Sequence, residues 1–269
     1  MSTASPLVPD AHASSRASRL WLIAGLAAAA LCLHGPIAQW ADYHAFADQR
    51  AWLDVPNAAN VLSNLPFLAV GCWGLWRLRG SASVTAAAWR IFSVALACTA
   101  AGSAIYHWAP SNATLVGDRL PIAWACAALL CAFLAERVQP RWCDARVLGA
   151  ALFAATLSVI YWWISERGGD GDLRPYLFVQ FLPGLLVPAA LWLGLAPTFE
   201  AATPASAWWA LLGFYAAAKL MEMADHAVFD ASIAFVSGHT LKHLLAAAGA
   251  ARLLTAATRG RDGPAAQLR

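Results

Sequence analysis

Charge is scarce in this chain: Asp, Glu, Lys and Arg make up 12% of its 269 residues, against roughly 25% in an ordinary soluble domain. That shortage excludes a water-soluble globule. A concentrated basic patch is also missing, because the formal net charge is only +3 and the arginines are spread through short loops. Tracking of a phosphate backbone is thereby excluded, and nucleic acid is not expected as a partner. The six cysteines form no CxxC pair. Five of them, Cys32, Cys72, Cys98, Cys126 and Cys131, lie inside apolar runs and read as small hydrophobes, with Cys143 in a loop. No internal repeat is visible, which argues against the paired halves of a secondary transporter that would use histidines as a proton relay.

Apolar residues are abundant instead, at 60% of the chain, with 14 tryptophans. Tryptophan concentrates at membrane interfaces while aliphatic side chains fill the span. A spanning helix needs about 20 largely apolar residues, and eight such runs are present: 19–38, 57–79, 85–107, 116–137, 145–165, 174–195, 205–226 and 231–254. An all-α membrane protein is the expected class. Turn-rich or polar segments separate the runs, such as Arg77 to Ser83, Gln139-Pro140 and Gly168 to Asp172. Residues 1–18 and 255–269 read as tails, the first disordered and the second basic. The first run lacks a clear small-x-small cleavage site, so a retained helix is expected over a signal peptide.

Loop charge orients the spans. With a cytoplasmic N-terminus, Arg16, Arg19, Arg77, Arg79, Arg90, Arg137, Arg141, Arg146, Arg252, Arg259 and Arg261 all fall on one side, as the positive-inside tendency asks. The C-terminus is then cytoplasmic too.

Ionisable groups inside a span cost about 2.5 to 3.5 kcal/mol each on insertion scales, so a cluster of them points to function. His239 and His243 stand four apart in GHTLKHLLAAAG, on one helical face one turn apart, as two ligands of one metal require. His107 closes the third run in GSAIYHW, with Ser103 one turn earlier on the same face. Asp118 opens the fourth run in VGDRLPIAW. The expected topology brings the end of the third helix and the starts of the fourth and eighth to the outer side, so the three histidines and Asp118 can meet. Three histidines with one open position suit a catalytic Zn²⁺. Asp118 is then the expected general base and Ser103 a donor to the developing oxyanion. Glu222, Asp225 and His226 form a second polar group that could orient a ligand histidine. Lys242 falls off the histidine face and is expected to snorkel or meet a lipid head group. His34 and His44 read as interfacial residues and His12 as part of the tail.

The motifs SAIYH, an aspartate eleven positions on, and HTLKH near the C-terminus resemble the alkaline ceramidase family, within the CREST superfamily of seven-helix membrane hydrolases. VPNAANVLSNLPFLAVG, with Ser63 and Asn64, is similar to the family's first core helix. The resemblance covers 57–254 and leaves 19–38 as an added N-terminal transmembrane helix, as in a bacterial-type member of the inner membrane. It implies a seven-transmembrane-helix bundle that hydrolyses ceramide-like N-acyl lipids to a fatty acid and a sphingoid base. His107, His239 and His243 would be the zinc ligands, and Asp118 and Ser103 the catalytic pair. Calcium-binding members use a carboxylate-rich stretch before the first core helix. Here DYHAFADQRAWLDVPN offers Asp42, Asp48 and Asn57 as the corresponding Ca²⁺ ligands, with Phe46 where another acid is expected. Related non-enzymatic receptors share this scaffold, so a lipid-binding receptor is the alternative reading.

Overall fold

In the computed structural model, which describes residues 11–259, each apolar run becomes helix over most of its length, and no strand occurs among the described residues. The long helices are α1 (Ala11–His34), α4 (Ala86–Trp108), α5 (Asn112–Arg137), α6 (Ala145–Gly168), α7 (Arg174–Trp192), α8 (Ala205–Met223) and α10 (Gly238–Arg259). Shorter ones are α2 (Ala58–Leu62), α3 (Leu65–Arg77) and α9 (Asp225–Ala231). Six stretches are long and apolar enough to cross a membrane: 15–34, 58–77, 86–108, 112–137, 145–168 and 174–192. They mark an integral membrane protein. That is two fewer than the eight runs expected, because α8 carries Lys219 and Glu222, and α10 carries His239, Lys242, His243 and Arg252.

Several boundaries move for local reasons. α1 begins at Ala11, so the tail expected over 1–18 is helical from there, and residues 1–10 lie outside the described residues. It ends at His34, where Gly35 takes a φ of +83°, a left-handed conformation that stops helices. The run 57–79 is broken in two because Pro66 sits in the first turn of α3 and cannot continue the helix through its own missing N–H. The last helix starts at Gly238, not 231, with Ser237 Oγ accepting from Thr240 N at 3.1 Å as an N-cap. It continues through Arg259, so 255–259 belong to the helix, and the remainder of the expected basic tail lies outside the described residues.

α5 is the central helix, packed against α4, α6 and α7, while α10 packs on α8 and α3. At the α4/α5 crossing two glycines meet: a methyl group on Gly102 would collide with the Gly117 carbonyl. α1 lies outside this bundle, with little of its surface buried. It is tied to α7 at both ends, by Arg16 Nη1 to Gly194 O at 3.0 Å and by Arg174 Nη1 to Cys32 O at 3.3 Å.

The loop between α1 and α2 crosses one end of the bundle. It is held there by Leu173 N to Ile37 O (2.8 Å), Ala47 N to Asp225 Oδ2 (2.9 Å) and a bond between His226 Nε2 and Ala45 O (3.1 Å). At the opposite end Glu136, the penultimate residue of α5, accepts from Thr203 Oγ1 and N at 2.8 and 3.1 Å and so clamps the turn before α8.

Candidate metal centre

His107 on the last turn of α4 and His239 and His243 on the first turns of α10 converge under the loop between α1 and α2. All three are buried, and their candidate ligand nitrogens lie within 4.8 Å of one another. The ring centroids form a nearly equilateral triangle of 4.7, 4.9 and 5.1 Å. His107 Nε2 and His239 Nε2 are 3.2 Å apart. Two Zn–N bonds of roughly 2.0–2.1 Å at a tetrahedral angle place nitrogens about 3.3 Å apart. The donor set and the spacing therefore fit zinc.

Each histidine is held by a different element. His243 Nδ1 is 2.7 Å from Ser63 Oγ. Ser63 Oγ donates its one proton to Asn60 O at 3.0 Å. Nδ1 of His243 is then the N–H, and Nε2 keeps its lone pair for a metal. The break between α2 and α3 is what turns Ser63 and Asn60 inward, where both are buried. His239 is fixed through its backbone: Asp225 Oδ1 accepts its N–H at 2.7 Å while Oδ2 holds Ala47. Asp225 thus acts on His239 through the main chain and not through the imidazole. Gly238 permits this, since a Cβ there would strike the Met221 carbonyl and the Asp225 backbone. His107 has its carbonyl bound by Asn57 Nδ2 at 2.8 Å. Its ring is wedged by Phe46, whose centroid lies 4.6 Å from His107 and 4.8 Å from His239.

Asp118, on the second turn of α5, is buried, and Ser103, one turn before His107 on α4, lies beside it. The Gly102–Gly117 contact brings these neighbours together. Lys242 does not snorkel outward: its Nζ donates to Glu222 Oε1 at 3.0 Å, and Lys219 Nζ donates to Glu222 Oε2 at 2.6 Å. Both lysines of the chain thus converge on one carboxylate.

The residues expected for calcium have other partners. Arg50 covers both oxygens of Asp48, at 2.8 and 2.7 Å, and holds its carboxyl below the usual range. The guanidinium occupies the place a cation would take. Asn57, in a left-handed conformation with φ 46°, spends its amide on His107, and Asp42 is exposed. Phe46 faces the histidines. Among the described residues the three histidines are the one group of His, Cys, Asp or Glu side chains placed to hold a metal.

His44 is more than an interfacial residue. Its Nδ1 lies 2.8 Å from Tyr106 Oη and its Nε2 3.0 Å from Asn112 Oδ1. Sequence reasoning passed over Arg119, Tyr43 and Tyr176. Arg119 is buried beside Asp118, its guanidinium carbon 5.2 and 5.1 Å from the two tyrosine rings. Its adjacency to Asp118 at the start of a span was the available signal. No known protein family's profile matches the chain, and no curated protein is significantly similar to it.

Proposed function

We propose that this chain is a zinc-dependent membrane amidase that hydrolyses ceramide-like N-acyl lipids, on the seven-helix plan of the alkaline ceramidases with α1 as an added N-terminal helix. The observation that carries the reading is the buried three-histidine cluster with Asp118 and Ser103 on the adjoining helix turns. His107, His239 and His243 would hold the metal through ring nitrogens. Bound zinc supplies Lewis acidity, acidifying a water and polarising the acyl oxygen.

Asp118 accepts a proton from the attacking water as the new C–O bond forms at the acyl carbon. As the C–N bond breaks, Asp118 hands that proton to the leaving nitrogen. Fatty acid and free amine result, and the aspartate returns to its starting state. Ser103, beside Asp118, is the donor to the developing oxyanion. Phe46 closes the loop side of the histidines and keeps bulk water off them.

A lipid substrate is supported by an apolar groove of about 530 Å³ between α7 and α8, lined by Phe181, Leu185, Pro188, Trp209 and Tyr215 and edged by Lys219. The arginines at the ends of α3, α5 and the start of α6 lie opposite the histidines. That supports cytoplasmic termini in a bacterial inner membrane, with the site on the outer side.

Fatty acid release from ceramides and other N-acyl lipids, measured on detergent-purified protein with and without a chelator, tests the proposal. Asp118→Asn is expected to lower kcat by at least about 100-fold while the zinc remains bound. Turnover unchanged in Asp118→Asn, or indifferent to chelation, would sink it. Stoichiometric zinc with no turnover on any amide would favour the receptor reading.

A further inference from the structure

Arg119 has an unusual place for a guanidinium. It is 3% exposed, its Nε and Nη1 have no hydrogen-bond partner, and among the described residues it forms no ion pair. Three rings surround it: Trp162 from α6 at 4.0 Å from the guanidinium carbon, Tyr176 from α7 at 5.1 Å and Tyr43 from the overlying loop at 5.2 Å. Cation–π contact offsets part of the cost of burying the charge, but it leaves the N–H groups aimed along the ring edges unsatisfied. A buried guanidinium whose N–H groups lack acceptors is a group prepared for a partner that arrives later.

The buried carboxylates near the histidines are engaged elsewhere. Glu222 is shared between Lys219 and Lys242, and Asp225 accepts from His239 N and Ala47 N. Arg119 follows Asp118 directly on α5, so it sits at the same end of the bundle as the carboxylate assigned to the leaving nitrogen. The planar fork of arginine matches a carboxylate or phosphate bidentately.

We propose that Arg119 is the head-group site for an acidic N-acyl lipid, pairing with a carboxylate or phosphate carried on the amine side of the scissile bond. The substrate class narrows from neutral ceramides to N-acyl amines with an anionic head. This inference rests on the amidase reading for the word substrate, while the anion site itself stands on Arg119 and its surroundings.

Equilibrium binding to the full-length, zinc-loaded protein in detergent tests it, with three probes: N-palmitoylglycine, its methyl ester, and N-palmitoylethanolamine phosphate. The wild-type protein should bind at least one of the two acids about 10-fold or more tighter than the ester, the scale of a charge-assisted pair. The better acid identifies the head-group chemistry. Arg119→Gln should bring that ratio close to one, and Arg119→Lys should retain part of it. Equal binding of acids and ester by the wild-type protein, which needs no variant to fold, overturns the proposal, as does a ratio preserved in Arg119→Gln. Acid-selective binding with no hydrolysis of these probes, of ceramides or of any other amide upholds the anion site and removes the amidase reading, so the two fail separately.

Discussion

A single hydroxyl decides which nitrogen of His243 is available to a metal. Ser63 donates to Asn60 and accepts from His243 Nδ1, which fixes the tautomer and the ring plane. Ser63→Ala is therefore expected to weaken zinc binding by about 10- to 100-fold, measured by competition with a chelator of known affinity. Ser63→Thr, which keeps the hydroxyl, should recover most of it. Asn57 acts on His107 at the same scale, through a carbonyl and not the ring.

Helix pairing is set where side chains are absent. Gly102 and Gly117 let α4 and α5 approach closely and bring Ser103 beside Asp118. Gly102→Ala places a methyl group against a backbone carbonyl that cannot move aside cheaply, at a cost of about 1–3 kcal/mol. Its Tm should fall by several degrees, and amide hydrolysis should fall further than zinc content does. The covering loop has its own anchor in Asp172, which accepts from Ile37 N at 3.3 Å, Tyr161 Oη at 3.1 Å and Arg174 Nη2 at 2.8 Å. Burial alone would raise its carboxyl, but the Arg174, Ile37 and Tyr161 hydrogen bonds outweigh it and bring the group down to about 2. Because the folded value is depressed, this anchoring is fully present above an ordinary aspartate value of about 4 and is lost as pH falls towards 2. Protection factors for hydrogen exchange of residues 35–48 should fall across that window, and Asp172→Asn should show lower protection already at neutral pH with little further change on acidification.

Over the whole molecule, the histidines join helices distant in sequence. His107 ends α4, whereas His239 and His243 begin α10, so a bound ion ties the front of the chain to its back. Chelation should lower Tm, by an amount that grows with the zinc concentration restored, since a ligand held only by the folded state stabilises by about 2.7 kcal/mol at 100 times its Kd. His107→Ala should abolish the difference between zinc-loaded and chelated samples in a thermal melt. α1 bridges none of these elements and rests on α7 from outside.

Composition and periodicity by themselves determined the helical membrane class, the near positions of most helices and the histidine pair on α10, because a 20-residue apolar run and an i, i+4 spacing are local properties. His107 and Asp118 were legible as polar groups at helix ends. Tertiary structure alone decided that the break at Pro66 turns Ser63 onto His243, that Ser103 lies beside Asp118, and that Arg50 takes Asp48 from a cation. It also decided that Lys242 faces Glu222 and that Arg119 sits unpaired among Tyr43, Trp162 and Tyr176. The physical reason is that a hydrogen bond or ion pair needs its partner within about 3 Å. Partners such as Ser63 and His243 lie far apart along the chain, so only the packing of the helices chooses among the polar groups available.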